Sequence, residues 1–178
     1  MASIELLIAI FPFLVLYLGV VQLALASAAK VAVQHAAFTA ARAAVVWIPR
    51  ESGAGAGGDV RAAAALPMVP LSPAVDSGPL AVSDYLSNGN PERAFAAKAA
   101  YARAATAVVW TPKAPRWNDE ITVEVGHLFA CQVPIAKQIV CKKVDEIDAA
   151  WRGRFSGTFP GRYLLVRGRH TLTNQGRP

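Results

Sequence analysis

Charged side chains are missing from a long stretch near the start of this 178-residue sequence. No aspartate, glutamate, lysine or arginine stands between Leu6 and Ala29. A helix of that length crosses the hydrocarbon core of a bilayer, which is about 30 Å thick. Buried helices of soluble proteins rarely exclude charge for so long. The absence therefore predicts a membrane-spanning segment over about residues 6–29.

Catalytic and metal-binding motifs are also missing. The two cysteines and three histidines lack the paired spacing of zinc motifs. There is no nucleophile elbow, no phosphate loop with a lysine and no metal-binding helix. Residues 51–58 have the Gly-x-Gly-x-x-Gly spacing of dinucleotide folds, but the prolines at 67, 70 and 73 exclude the long crossover helix which that motif requires. We therefore predict no enzymatic activity, no bound metal and no cofactor.

A single carboxylate stands at the amino-terminal edge of the apolar stretch. Inserting an ionisable side chain without a partner costs on the order of 2 to 3 kcal/mol, so such groups are usually paired. The nearest candidate partner of Glu5 is an amino terminus. The sequence thus predicts an ion pair between Glu5 and a terminal amine.

Several segments of the chain carry a resemblance to a known family. Residues 4–8 read Ile-Glu-Leu-Leu-Ile and resemble the mature start of type IV pilins. Other segments are similar to the TadE-like pilins of tight-adherence machines, which are minor pilins or pseudopilins: Pro12, residues 19–22, residues 40–42, residues 121–125, Phe129 and Pro134. The chain departs from the pattern at Gln22, where many relatives carry an acid.

The resemblance implies a route from a membrane to a filament. A prepilin peptidase would remove a short basic leader and methylate the new first residue, Met1. Glu5 would then pair with the terminal amine of a neighbouring pilin subunit. The implied partners are other pilin subunits, the peptidase, the assembly platform and, before assembly, the lipid bilayer. The implied location is the inner membrane, with the carboxyl-terminal domain outside the cytoplasm, and then the pilus or cell surface.

The basic residues around the apolar stretch oppose this orientation. Lys30, Arg42 and Arg50 all follow the stretch, and none precedes it in the sequence, whereas basic residues favour the cytoplasmic side of a membrane. A basic leader that is removed during processing resolves the conflict. We therefore hypothesise that Met1 is the mature terminus.

The apolar stretch is predicted to be the first part of one long helix. Helical composition continues from about Ile4 to Trp47 and is stopped by Pro49. Pro12 removes one backbone hydrogen bond and Gly19 loosens the same helix, so we expect a bend in this part.

Alanine recurs at every fourth position along this helix. Small residues at that spacing let helices approach closely, and the predicted assembly residues therefore include Ala28, Ala32, Ala36 and Ala40. The high helix propensity of alanine explains the same pattern without any interface. Ala36→Leu is predicted to separate the two interpretations, because an interface predicts lost filament incorporation with monomer folding nearly intact.

The rest of the chain predicts an α+β fold in three parts. Residues 1–48 form the pilin-type helix, which is membrane-spanning and then amphipathic. Residues 49–89 form a linker rich in glycine and proline, without a core of its own. Residues 90–178 form a small domain in which a second helix packs on an antiparallel sheet. This helix begins at Asn90, which can cap it, with Pro91 in the first turn.

The end of the second helix and the strands are predicted from local patterns. The helix should stop before Pro112, because residues 99–113 echo residues 36–50. An ancient duplication and two alanine-rich helices with the same stop signal both explain this echo. Apolar and polar residues alternate over residues 121–125 and 164–172, which indicates half-buried strands.

The two cysteines predict a disulfide in an exported domain. Pairing Cys131 with Cys141 is the economical arrangement outside the cytoplasm. Closing so short a loop would stabilise the fold by roughly 3 kcal/mol in the chain-entropy model. A zinc site with His127 or His170 is the weaker alternative, because the ligand spacing of zinc motifs is missing.

Neither calcium nor nucleic acid is a predicted ligand. The acidic group at residues 145–148 lacks the loop glycine and the ligand spacing of calcium sites, so a solvated charged face is the better interpretation. Lysine and arginine exceed the acids by 18 to 12, but they are spread out and do not cluster with aromatic residues.

Two functions of different class fit these features. A minor pilin or pseudopilin subunit of a tight-adherence (type IVc) pilus or secretion machine gives a role to Glu5 and to the alanine ridge, and would act in adhesion, secretion or contact-dependent processes. A membrane-tethered periplasmic binding or adhesion domain leaves both without a role. We therefore predict the subunit, and loss of assembly in Glu5→Ala would distinguish it from the tethered domain.

Overall fold

The computed structural model describes residues 2–47, 54–73, 91–112, 116, 118–131, 138–156, 159 and 161–174. Its helices are α1 (Ala2–Trp47), α2 (Ala54–Ala65), α3 (Pro91–Ala105) and α4 (Ala149–Arg152), with 3-10 helices at Leu66–Leu71 and Val144–Glu146. Its strands are β1 (Thr106–Thr111), β2 (Glu120–Ala130), β3 (Lys142–Lys143) and β4 (Arg162–Thr173). A long apolar helix therefore precedes a small domain of helices on a sheet, and the predicted α+β fold is confirmed.

The first helix extends well beyond the dimensions of the domain. α1 has 46 residues, which corresponds to about 69 Å at 1.5 Å per residue. It ends at Trp47 as predicted and continues through Pro12 as helix, so a bend at that proline stays a prediction. α3 begins at Pro91 as expected, whereas its predicted cap, Asn90, lies outside the described residues.

The four strands form one antiparallel sheet in the order β1-β2-β4-β3. β2 and β4 are the longest strands and pair from Glu120 opposite Thr173 to Ala130 opposite Tyr163. The two segments with alternating residues are therefore neighbours in the sheet. Their apolar residues belong to the same buried cluster as the alanines of α1.

β4 packs on α1 and runs in the same direction. Three contacts advance together along both elements: Lys30 with Arg167, Val33 with Gly168, and Phe38 with His170. The approach is closest at Gly168, where a Cβ atom would lie 2.6 Å from the backbone oxygen of Val33. The beginning of β4 consequently lies towards the amino-terminal part of α1.

Hydrophobic clusters cover both faces of the sheet. The cluster on one face joins α1 to α2 and to the following 3-10 helix, and includes Val33, Val60 and Met68. The cluster on the other face contains Trp151, which reaches the sheet at Gly126, because a Cβ atom there would lie 2.5 Å from the indole ring. The sheet is thus the middle layer of the domain.

Part of the predicted linker is structured, and this prediction was wrong for residues 54–71. They form α2 and a 3-10 helix, and Val60 and Met68 are completely buried. Glycine lowers helix propensity by about 1 kcal/mol per residue, so burial against α1 rather than local preference stabilises α2. Residues 49–53 and 74–89 of the predicted linker lie outside the described residues.

Arg61 of α2 ties this segment to the sheet and to the end of α3. Its Nε donates to the carbonyl of Thr106 at 3.0 Å, and its Nη2 donates to the hydroxyl of Ser156 at 3.0 Å. The same Nη2 lies 3.5 Å from the carbonyl of Ala104. Carbonyls in the last turn of a helix have no partner within the helix. This one accepts the backbone N–H of Ser156 at 3.1 Å in addition to the guanidinium.

The second helix ends earlier than predicted. α3 stops at Ala105, and residues 106–111 form β1, which pairs with β2. β-branched residues favour a strand, and the edge of β2 supplies the hydrogen-bond partners. The echo between residues 36–50 and 99–113 is therefore not a structural repeat in the described part of the chain, because one ending is helix and the other is strand.

A disulfide joins Cys131 to Cys141, whose Cα atoms are 6.5 Å apart. The backbone N–H of Cys131 donates to the carbonyl of Arg162 at 3.4 Å. The guanidinium of Arg162 in turn donates to the carbonyls of Cys141 and Gln138, at 3.2 and 3.3 Å. The bridge and Arg162 thus hold the same loop against the start of β4.

His127 is a buried histidine of the domain core. Its exposed fraction is 0%, and its Nδ1 lies 2.9 Å from the hydroxyl of Thr106. Its Nε2 has no hydrogen-bond partner among the described residues. Burial disfavours the charged imidazolium and lowers the pKa of His127 from 6.5 to about 4.

This burial predicts a loss of stability in acid. The neutral form is favoured in the folded state, so the stabilisation is complete above pH 6.5 and is lost as the pH falls through about 4. The free energy of unfolding should fall by on the order of 3 kcal/mol across this window. Urea unfolding of the full chain in detergent at both ends of the window measures the change. His127→Gln should flatten this dependence, and His35→Gln, at an exposed position, should not. An equal slope in wild type and His127→Gln would assign the acid sensitivity to other groups.

Candidate assembly surface on the first helix

The amino-terminal part of α1 is an exposed apolar rod. From Ile8 to Val20 most large side chains are exposed, among them Phe11 at 64%, Phe13 at 66% and Leu16 at 66%. α1 is long and apolar enough to cross a membrane, and only 6% of its apolar window is buried within the chain. A core helix of a soluble protein would be covered by its own domain. This surface therefore fits lipid or neighbouring helices rather than water.

The domain begins to cover α1 at Gln22. This side chain is 3% exposed, and neither of its amide atoms has a hydrogen-bond partner among the described residues. The helix that precedes it, residues 2–21, is about 30 Å long, which equals the thickness of a hydrocarbon core. The free part of α1 is thus offset from the predicted span of residues 6–29, because the domain already packs on the helix from Gln22 onward.

The alanine ridge has an exposed part and a buried part. Ala28 is exposed and Ala32 is half-buried, but Ala36 and Ala40 are completely buried against the domain of the same chain. The prediction that Ala36 and Ala40 offer their face to other subunits was therefore wrong. Their small side chains allow close packing within the chain, where the sheet and α2 occupy this face.

Pro12 and Gly19, two of the other predicted assembly residues, belong to the free part of α1. Pro12 and Gly19 are exposed, and no atom lies within 4 Å of the point that a Cβ of Gly19 would occupy. Glu5 lies in the helix, but its side chain and the whole of Met1 lie outside the described residues. The structure therefore brings Glu5, Pro12 and Gly19 onto one rod, and the ion pair of Glu5 stays a prediction.

Comparison with known protein families identifies the segment that contains this rod. Residues 1–42 match the TadE-like protein family. The resemblance inferred from the sequence is thereby confirmed for 42 of the 178 residues, and the match ends within α1. No curated protein and no solved structure matches the chain.

The TadE-like helix has an outward face that was not among the predicted assembly residues. Four apolar side chains on this face are exposed, with exposed fractions of 69, 71, 37 and 47%: Leu23, Val31, Phe38 and Val46. Phe38 is the least exposed of the four, because its ring also contacts His170 of β4. They recur every seven or eight residues, and two helical turns take about 7.2 residues. This spacing was the available signal, but the more numerous alanines of the buried face obscured it.

Polar side chains flank the apolar residues of this outward face. Lys30, His35 and Arg42 are exposed, and the guanidinium of Arg42 lies 5.7 Å from the ring centre of Phe38. An outward face that mixes apolar and charged side chains is compatible with contact to water and with contact to a partner helix.

No metal site is present among the described residues. They contain no group of three or more histidine, cysteine, aspartate or glutamate side chains that could hold a metal ion. In the acidic segment, Glu146 accepts the backbone N–H of Lys143, and Asp148 accepts that of Ala150. These carboxylates thus cap local turns.

The buried tyrosine of α3 has a structural role. Burial, together with the nearby Tyr163, raises the pKa of Tyr101 above its ordinary value of 10.0. The hydroxyl donates to the carbonyl of Leu128 at 2.9 Å. A neutral, fully committed hydroxyl is unsuited to acid–base chemistry, so the domain core around Tyr101 serves packing.

Proposed function

We propose that the chain is a minor pilin or pseudopilin subunit of a tight-adherence (type IVc) pilus or secretion machine. The family match at residues 1–42 and the apolar helix indicate a membrane-anchored, pilus-associated protein. The main support for a pilin subunit is that α1 is divided at Gln22. The half before Gln22 is apolar and free, and the half after it is covered by the domain. A subunit that moves from lipid into a filament needs both halves.

Before assembly, the free half of α1 anchors the subunit in the inner membrane. Residues 2–21 are long enough for one crossing. We place the domain outside the cytoplasm and the amino terminus at the opposite end of the helix. In this arrangement a prepilin peptidase acts at the cytoplasmic end of the helix.

In the filament, the free half of α1 exchanges lipid for the helices of other subunits. Lipid tails and apolar helices are chemically similar, so this exchange depends on packing rather than on a hydrophobic gain. The outward face with Val31 and Phe38 continues the contact surface along the covered half. Glu5 compensates the terminal amine of a neighbour, and the low dielectric of the bundle makes the pair strong and an unpaired charge costly.

The proposed role is structural rather than catalytic. The TadE-like family is a structural, non-enzymatic family. Its match ends at residue 42, so the domain that follows supplies what distinguishes this subunit. We assign the domain to a position where the subunit contacts the surroundings of the machine, in adhesion, secretion or contact-dependent processes.

The proposal predicts a loss of assembly in Glu5→Gln. Glutamine keeps the size of the side chain and removes its charge, so a neighbouring terminal amine loses its partner. We expect at least roughly a tenfold fall in the amount of this chain in the sheared filament fraction, which corresponds to about 1.4 kcal/mol. Immunoblots of the filament and membrane fractions, in cells that lack the wild-type chain, measure it.

The matched control is Glu120→Gln, at an exposed glutamate in β2. It removes the same charge at the end of the sheet opposite Thr173, away from the amino-terminal part of α1, and should leave incorporation unchanged. Equal amounts of wild type and Glu5→Gln in the filament fraction would refute the subunit proposal. Presence in the membrane and complete absence from filaments for every variant, wild type included, would favour a membrane-tethered domain.

A further inference from the structure

We infer that the disulfide-bridged end of the domain contacts the anionic phospholipid surface of the membrane that α1 crosses. The contact residues are Ile139, Val140, Lys142 and Lys143. The inference rests on the membrane anchoring proposed above. It adds a second membrane contact, which the domain itself supplies.

The first step is the position of this end along α1. Lys30 contacts Arg167, and β4 runs in the same direction as α1. Tyr163 stands four residues before Arg167, which is roughly 13 Å at 3.3 Å per residue. The same distance on α1 corresponds to about nine residues, so Tyr163 lies level with residues 21 and 22. Gln22 is also where burial of α1 begins, and the two observations agree.

The second step places the bridged loop at the same level. Lys142 pairs with Tyr163, and Lys143 pairs with Arg162. The disulfide from Cys141 leads directly into this pairing. Because the free half of α1 ends at this level, residues 138–143 lie at the depth of the lipid headgroups when residues 2–21 cross the hydrocarbon core.

The third step is the chemistry of the exposed side chains. Ile139 is 78% exposed and Val140 is 50% exposed, although both are apolar. Lys142 and Lys143 are exposed, and no carboxylate of the described residues lies within 4.0 Å of either ammonium group. Apolar side chains insert at the boundary between headgroups and acyl chains, while lysines attract anionic headgroups. The segment combines both.

The carboxylates of the neighbouring acids do not pair with these lysines within 4.0 Å. Glu146 accepts the backbone N–H of Lys143, and Asp148 lies 4.0 Å from the guanidinium of Arg167. Asp145 is exposed and offers its backbone carbonyl to Arg152. The charge that residues 142 and 143 present outward is therefore positive.

Residues 138–143 are held in place before they meet a lipid surface. The disulfide fixes Cys141, and the guanidinium of Arg162 donates to the carbonyls of Gln138 and Cys141. A contact made by residues that are already held in place loses little entropy on binding. This lipid contact, together with α1, would fix the orientation of the domain on the bilayer. The outward face of α1 would then face an incoming subunit in one direction.

Photo-crosslinking tests this contact in the full chain. Benzoylphenylalanine is placed at position 139, at position 173 or at position 13, and each protein is reconstituted into vesicles of phosphatidylcholine with or without phosphatidylglycerol. Thr173 is exposed at the far end of β4, roughly 33 Å along the strand from Tyr163. Phe13 is 66% exposed on the free rod. Mass spectrometry then identifies lipid and protein adducts.

We expect lipid adducts at position 139 that increase with phosphatidylglycerol, lipid adducts at position 13 in both vesicles, and none at position 173. Lys142→Glu with Lys143→Glu should lower the adducts at position 139 by roughly tenfold. The control Arg169→Glu, at an exposed position further along β4, should not lower them.

Two results would overturn the inference without affecting the anchoring of α1. One is lipid adducts at position 13 with none at position 139. The other is crosslinking of position 139 only to a second copy of the chain, which would assign the surface to a subunit contact. Absence of lipid adducts at position 13 would refute the anchoring itself.

Discussion

Gly168→Ala is expected to destabilise the domain by about 3 kcal/mol or more. The added Cβ would lie 2.6 Å from the carbonyl oxygen of Val33 and 2.9 Å from its carbonyl carbon. Both atoms belong to the backbone of α1, so no side-chain rotation relieves the overlap. The sheet must move away from the helix, and the cluster between them opens.

The measurement for Gly168→Ala is urea unfolding of the full chain in detergent, followed by near-ultraviolet circular dichroism. The matched control is Gly58→Ala, because Gly58 lies in α2 with no atom within 4 Å of its Cβ position. This control should be neutral or stabilising by up to about 1 kcal/mol, since alanine is the better helix former. Equal midpoints for Gly168→Ala and wild type would show that α1 and β4 are not packed as described.

Ala36→Leu is expected to destabilise the domain rather than to block assembly alone. Ala36 is completely buried, and the carbonyl of the same residue accepts the hydroxyl of Thr39. Inserting three further carbon atoms into a filled site typically costs about 1 to 3 kcal/mol. The same unfolding measurement, combined with the yield of folded protein in the membrane fraction, determines the effect.

Ala28→Leu is the matched variant on the exposed part of the ridge. Because Ala28 is exposed, the free energy of unfolding should change by no more than about 0.5 kcal/mol. A fall in filament incorporation without a fall in stability would then report on contacts between subunits. Wild-type stability in Ala36→Leu would contradict the burial of this position and restore the original prediction of an exposed ridge.

The first helix and the two long strands could be predicted because their signals are local. An uncharged stretch of this length has few alternative structures, and alternation over residues 121–125 and 164–172 indicates strands directly. The disulfide partners could be proposed because the chain has only two cysteines. None of these inferences depended on knowing which elements pack together.

The missed elements depend on tertiary contacts. α2 contains three glycines in its first five residues, which disfavour a helix. Burial of Val60, Ala64 and Ala65 in the cluster with α1 stabilises it. β1 follows an alanine-rich helix without a break. Its residues pair with partners 11 to 21 positions later in β2, from Thr111 opposite Thr122 to Thr106 opposite His127. No local pattern contains such information.

The candidate assembly surface was predicted in part for a related reason. Small residues on a helix indicate close approach of another backbone, but not whose backbone it is. At Ala36 and Ala40 that backbone belongs to the same chain. On the sheet, Gly168 is the small residue that allows the same close approach to α1. The match between Gly168 and the small residues of α1 is visible only once the contact between β4 and α1 is known, because these elements are far apart in the sequence.

The contact between Lys30 and Arg167 joins residues separated by 137 positions, and this separation has a consequence for biogenesis. β4 occupies an interior place in the sheet, between β2 and β3, so the sheet cannot close until this late segment has been synthesised. Contacts of such long range form slowly. During that interval the alanine-rich flank of the first helix lacks the cover that the rest of the chain provides in the folded protein.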